Sequence, residues 1–293
     1  MRSFEYHAPT SLDEAITLLR EHAGSARPLA GGTDLVVQMK ESATKFPLPS
    51  HIVSLLRVPE LGGIEFSESE GLRIGAGATM TEVAESPIIR ERYTAIADGA
   101  GLVGSYQTMN MATVGGNLCN AAPSADIAPP VLAFEAEAVI VGPSGRRHLP
   151  LEEFFSGPGK TALAPDELLA EVRVPIPPVG TGSAYARHTP RKQMDIAVVG
   201  VGVALTLADD RVERARIALG AVAPTPVRAR EAEAALQGQS LSDDAIARAT
   251  DVAARECSPI SDVRGSAEFR RHIVRVTTER MLREAAARAR RDG

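Results

Sequence analysis

Apolar positions recur along this chain with the periods of helix and strand, and each change of period marks an element. Leu12, Ile16 and Leu19, with Ala15 and Leu18 beside them, make one helical face that ends near His22-Ala23-Gly24. Ser11-Leu12-Asp13-Glu14 has the residue types of a capping box at its start. Arg27-Pro28-Leu29-Ala30 predicts a short strand broken at Gly31-Gly32, followed by a helix over 35–40 that Thr33-Asp34 can cap. Residues 51–55 predict a strand, and 64–66 with 72–74 a hairpin. Helical character covers 79–85 and 88–97, separated at Pro87. Past a long polar stretch, 138–141 and 146–149 predict a second hairpin about Gly142-Pro143-Ser144-Gly145, and 168–174 one further strand.

The proline-rich run 175–182 cannot join a central ladder, and the domain boundary is placed there. Beyond it, 197–207 and 212–219 read as strands joined at Asp209-Asp210, with helices over about 228–236, 243–256 and 266–290. Strands followed by helices make an α+β pattern.

The polar stretch, 107–126, has neither helical nor strand period, yet apolar sequence follows it at once, so it predicts an ordered binding loop. Gly115-Gly116 lets two successive amides approach a ligand, with the Thr113 hydroxyl and the Asn117 amide at either end. That chemistry suits an anion or a phosphate. Asp126 stands where it can cap the next helix, whose first turn tolerates Pro129-Pro130. Gly31-Gly32 offers a second point where free amides and a helix start coincide, although ordinary turn chemistry also explains a lone Gly-Gly.

Composition narrows the partners. A chain of 293 residues and 30.9 kDa can bury two cores or a divided one. No apolar run reaches the roughly 20 residues of a membrane span, and residues 1–6 lack the apolar core of a signal peptide, which points to the cytoplasm. The net charge of -5 and the absence of Trp argue against nucleic acid. Cys119 and Cys257 form no CxxC pair, so neither a zinc nor an iron-sulfur site can be built from cysteines here. Cys119 reads as a packing thiol, Met109 and Met111 as space-fillers, and the six scattered histidines as surface or locally bonded residues. Arg270, Arg271, Arg275, Arg280 and Arg283 read as a solvated helix face paired with Glu268, Glu279 and Glu284.

Taken together, Ala30-Gly31-Gly32-Thr33-Asp34 and Thr113-Val114-Gly115-Gly116-Asn117 resemble the paired signatures AGGxS and TIGGN of the FAD subunit of molybdenum hydroxylases. These are the medium subunits of aerobic carbon monoxide dehydrogenase and the FAD domain of xanthine dehydrogenase. The likeness runs through Ala121-Ala122-Pro123-Ser124-Ala125-Asp126, Pro165-Asp166-Glu167-Leu168-Leu169, Met194-Asp195-Ile196-Ala197 and the segment from Asp262 to Arg271. It implies an α+β protein with a two-part FAD-binding domain of the vanillyl-alcohol oxidase type over 1–177, in subdomains of about 1–58 and 59–177. A C-terminal domain of the CO-dehydrogenase-flavoprotein kind, a small antiparallel sheet with helices, would cover 178–293.

Carried over by position, the resemblance implies that Ala30, Gly31, Gly32, Thr33, Asp34, Thr113, Val114, Gly115, Gly116 and Asn117 hold FAD, chiefly its pyrophosphate and ribityl chain. Asp126 would also meet the cofactor, Leu29 and Leu35 would line the same cleft, and Leu169 would lie near the flavin ring. The first motif departs from the common pattern in having Asp34 where Ser is frequent; a carboxylate repels pyrophosphate, so Asp34 is expected to cap the helix or bond sugar hydroxyls. The segment 185–192, with Arg187, Arg191 and Lys192, resembles a family stretch that approaches the flavin, and equally reads as a solvated strand edge.

The implied role is electron transfer, with no catalytic residue and no metal ligand on this chain. A large molybdenum-cofactor subunit would oxidise substrate, and a small subunit with two [2Fe-2S] clusters would deliver electrons to FAD and on to NAD, oxygen or a quinone. A dimer of heterotrimers is the implied assembly. The alternatives are a self-contained flavoprotein oxidoreductase of the same FAD-binding fold and a subunit that binds nucleotide only structurally.

Overall fold

The first helix forms where its apolar face predicts it. The computed structural model describes residues 3–41, 48–191 and 194–291, beginning with β1 (Glu5–His7) and α1 (Leu12–Glu21). The Ser11 hydroxyl accepts from the Glu14 amide, while the Glu14 carboxylate reaches the Thr10 amide instead of closing the capping box. β2 (Ala26–Leu29), α2 (Leu35–Glu41) and β3 (His51–Ser54) follow, and the three strands form a parallel sheet in the order β1-β3-β2. β1 has no apolar signature, since Glu5-Tyr6-His7 is largely exposed, and only its pairing with β3 creates it.

A second sheet begins with the hairpin β4 (Ile64–Ser67) and β5 (Gly71–Gly75). Helices α3 (Met80–Glu85), α4 (Pro87–Arg92) and α5 (Thr94–Ala100) come next; the expected helix over 88–97 is divided at the buried Tyr93. The polar stretch contains α6 (Tyr106–Met109) and α7 (Val114–Asn120), so it is not an aperiodic loop. The hydroxyl of Thr113 caps α7 by accepting from the Gly116 amide at 3.0 Å, which offsets the poor helix propensity of two glycines. After α8 (Ala128–Ala133) come β6 (Glu137–Gly142), β7 (Gly145–Pro150), the short α9 (Leu151–Phe154), the small pair β8 (Phe155–Gly157) and β9 (Lys160–Thr161), and β10 (Leu168–Val174). The antiparallel order is β4-β5-β10-β6-β7. The first sheet's α1 packs on the edge of this second unit, where Leu12, Ile16 and Leu19 share a core with Val141, Leu168 and Ala170.

The C-terminal sheet is β11 (Thr181–His188), β12 (Val199–Ala208), β13 (Arg211–Gly220) and β14 (Val227–Arg228), antiparallel in that order, followed by α10 (Arg230–Leu236), α11 (Asp243–Glu256) and α12 (Ala267–Ala289). Its central strand alternates by size, not polarity. Val201, Val203 and Leu205 face the core under α10 to α12, while Gly202 and Ala204 face the other way. A Cβ on Gly202 would lie 2.9 Å from the Pro129 backbone, so the small face is what lets α8 lie directly on the sheet. Both faces of the sheet are thereby buried.

The terminal helix is less solvated than its arginines suggest. Arg283 and Arg288 do pair with Glu279 and Glu284, but Arg270 is buried and donates to the Val198 and Ala221 carbonyls and to Asp262.

Candidate functional site

The two glycine turns, separated in sequence by residues 35–112, meet in space. A Cβ built on Gly31 would stand 1.7 Å from the Met111 carbonyl oxygen, so only glycine lets the first turn close against the entry to the second. The helices that follow the turns are tied together as well, because Gln38 of α2 donates to Asn120 at the end of α7 at 3.4 Å.

The turns differ in what they offer. Among the described residues, the amides of Gly31, Gly32, Thr33 and Asp34 donate to no protein oxygen. The second turn's amides are already used: Val114 donates to the Ala78 carbonyl, Gly115 to Ala76, Gly116 to the Thr113 hydroxyl and Asn117 to the Thr113 carbonyl. The expectation of two amide cradles is therefore corrected to one. Tight pairing with 76–80 takes the other, since a buried amide left unpaired is costly. What the second turn presents instead is an exposed, side-chain-free surface at Gly116 and the Asn117 side-chain oxygen, which is buried and has no partner.

Neither Thr33 nor Asp34 caps α2, since no side-chain bond to a helix amide is made there. Asp34 is exposed, and Ala30, Thr33 and Leu35 are half-buried around the turn, with Leu29 ending β2. Leu169 is buried at an irregularity in β10, in the same core as Val114 and Leu118, beneath α7. Met111 is exposed and acts through its carbonyl, whereas Met109 packs against the core. Cys119 packs there too, and burial pushes its thiol up to about 12, which makes it a poor nucleophile.

Asp126 does not cap α8, which Ile127 precedes as the N-cap residue without a side-chain cap bond. Its carboxylate instead accepts the Tyr185 hydroxyl at 2.7 Å and pairs with Arg187, both from β11. Burial raises its pKa to about 6, against the opposing pull of Arg187 and Tyr185. The segment 185–192 is thus partly interior: Tyr185 is buried and the Arg187 side chain is 5% exposed, its Nε without a partner, while Arg191 is exposed and Lys192 lies outside the described residues. A solvated-edge reading fails for Tyr185 and Arg187. Sequence reasoning assigned Tyr185 no partner, and the only local signal was an aromatic followed two places on by a cation on one strand face.

A groove of about 380 Å³ lined by Pro178, Thr206, Glu213, Arg214, Arg216 and Gln237 shares no residue with the turns. Among the described residues no helix is long and apolar enough to cross a membrane.

Known proteins resemble the chain over nearly its whole length. The family described as the FAD binding domain in molybdopterin dehydrogenase matches residues 2–177, and the CO dehydrogenase flavoprotein C-terminal domain matches 184–285. The chain is 35% identical over 285 residues to a putative xanthine dehydrogenase FAD-binding subunit of Escherichia coli, covering 97% of this chain and 96% of that one. It is 36% identical to the carbon monoxide dehydrogenase medium chain of Hydrogenophaga pseudoflava, covering 97% and 98%. The solved carbon monoxide dehydrogenase from that organism superposes with a TM-score of 0.93 at 37% identity over 98% of each chain. Quinoline 2-oxidoreductase from Pseudomonas putida superposes at 0.90 and 30% identity, again over 98% of each.

Proposed function

The chain belongs to the FAD-binding medium subunits of the molybdenum hydroxylases, the family of carbon monoxide dehydrogenase and xanthine dehydrogenase, and from that premise we propose how it holds FAD and whom it serves. The observation that carries the reading is the closure of Gly31 on Met111 beside four amides that donate to no oxygen among the described residues. Fixed backbone donors bind a diphosphate without adding positive charge, in keeping with a chain of net charge -5.

In this proposal Gly31, Gly32, Thr33 and Asp34 donate their amides to the pyrophosphate, and Ala30, Leu29 and Leu35 shape that side of the cleft. Thr113, Val114, Gly115, Gly116 and Asn117 form the facing wall, on which Gly116 allows close approach and Asn117 offers its unpartnered oxygen to a hydroxyl or ring N–H. Asp126 acts as the anchor that holds the buried Arg187 side chain, and Leu169 packs beneath α7 to fix the wall's position. Bound FAD supplies the redox relay between [2Fe-2S] clusters on a partner and an external acceptor such as NAD, oxygen or a quinone.

The partners are a large molybdenum-cofactor subunit and a small subunit with two [2Fe-2S] clusters, in a dimer of heterotrimers working in the cytoplasm. Supporting this division of labour, both cysteines are free and distant from each other in the sequence, so the chain brings no cluster of its own. We place the boundary between an FAD-binding domain, 1–177, and a C-terminal domain, 178–293, where β10 ends at Val174 and β11 begins at Thr181.

The test is reconstitution. The purified chain with FAD should take up one flavin and show its visible spectrum, and substrate should reduce that flavin only after both partners are added. Reduction by the isolated chain would favour a self-contained oxidoreductase, and absence of flavin uptake would remove the proposal.

A further inference from the structure

Spacing scatters the six histidines through the sequence, but the parallel sheet gathers three of them. His7 ends β1 and stands opposite Val53, two places beyond His51 on β3, so the strand period puts both rings on one face. His22 follows the last residue of α1, where the chain turns toward β2, and its ring stacks on that of His51 with centroids 3.8 Å apart. His7 Nε2 lies 3.1 Å from His51 Nδ1, and one nitrogen from each ring falls within 4.8 Å of the others. The Glu5 carboxylate stands 3.5 Å from His51 Nδ1. All three histidines are half-buried, with no arginine or lysine paired to the cluster among the described residues.

We propose that His7, His22 and His51 form a site for a divalent transition-metal ion of the zinc class, with Glu5 or water completing the coordination. Three imidazoles and a carboxylate suit borderline ions such as zinc, nickel or copper, whereas magnesium and calcium demand an oxygen set. Nitrogens about 2.1 Å from a tetrahedral zinc stand roughly 3.4 Å apart. The His7 and His51 nitrogens are already close to that separation at 3.1 Å. His22 lies with its plane 10° from that of His51, so it must turn about its terminal torsion to aim at the same ion. That torsion is broad and the turn costs little.

The ion would clasp β1 and the end of α1 to β3. β3 pairs directly with β2, whose last residue Leu29 precedes the first glycine turn, so the clasp stiffens the sheet that presents the unpaired amides. The site shares no residue with the flavin turns, and it stands or falls without the reading of their function.

The test uses the tag-free full chain, stripped with chelator and titrated calorimetrically with zinc. One ion per chain should bind and raise the thermal midpoint. His22→Gln and His51→Gln should each lower affinity by at least the roughly 10–100-fold that loss of a supporting residue costs a metal site. Flavin uptake and the metal-free midpoint of these variants should match the wild type. Binding unchanged in both variants, or well below one ion per chain, overturns the site. Should either variant fail to fold, paramagnetic resonance of the copper-loaded wild type decides: hyperfine coupling from three imidazole nitrogens supports the site, and fewer overturn it.

Discussion

The hydroxyl of Tyr185 donates to the carboxylate of Asp126 at 2.7 Å, linking the C-terminal sheet to the last residue of the polar stretch. Both groups are buried, and Arg187 pairs with the other carboxylate oxygen. The two parts of the chain are thus joined by a polar network, and not only by apolar contact through α8. Tyr185→Phe keeps the ring and removes the donor. It should cost about 1.5–3 kcal/mol, the usual range for a hydrogen bond to a charged group, read as a lower urea midpoint with unchanged slope.

The same carboxylate sets a pH dependence. Its folded pKa, about 6, lies above the ordinary value of 3.8, so protonation is favoured in the folded state. Its contribution is therefore fully present below about pH 4 and is lost as pH rises through about 6. The difference is of order 3 kcal/mol at full ionisation. Asp126→Asn, which cannot ionise, should remove this fall between pH 4 and 6 from unfolding free energies measured across the range.

The glycines separate binding from folding. Gly116 is exposed, and an added Cβ would meet only the Thr113 hydroxyl at 2.9 Å. Gly115 is buried, and its Cβ would press on Ala76 at 2.6 Å from the side chain and 2.8 Å from the carbonyl. Gly115→Ala should therefore lower the thermal midpoint by several degrees, a destabilisation of about 1–3 kcal/mol. Gly116→Ala must displace the Thr113 hydroxyl that caps α7, partly offset by the better helix propensity of Ala, so it should lower the midpoint less than Gly115→Ala does and reduce flavin per chain in absorbance measurements. Equal flavin content in Gly116→Ala and wild type would show that the second turn does not face the cofactor.

A buried ion pair carries the C-terminal unit. Arg228 makes a bidentate contact to Glu233 at 2.6 and 2.7 Å, and Glu233 also accepts the Ile217 amide at 2.9 Å. Glu233→Ala leaves a buried guanidinium with only the longer 3.5 Å contacts to Glu135 and the Leu132 carbonyl, strands a strand amide, and should cost about 3–5 kcal/mol by chemical denaturation. The double change with Arg228→Met should recover part of that loss.

How far the sequence was sufficient follows from the range of each interaction. The α1 face, the hairpin about Ser67 to Gly71 and α11 (Asp243–Glu256) rest on residues within a turn or two of one another, and periodicity reads such contacts directly. The two glycine motifs are local as well, which is why the family was legible from them. Tertiary structure alone decided which amides remain free: Gly115 and Val114 give theirs to carbonyls at 76 and 78, and nothing in the motif reports that. It alone decided that Asp126 meets β11 instead of α8, because a buried carboxylate goes to the partner that best offsets its desolvation. It also drew His7, His22 and His51 together, since a parallel sheet joins strands that the sequence keeps far apart.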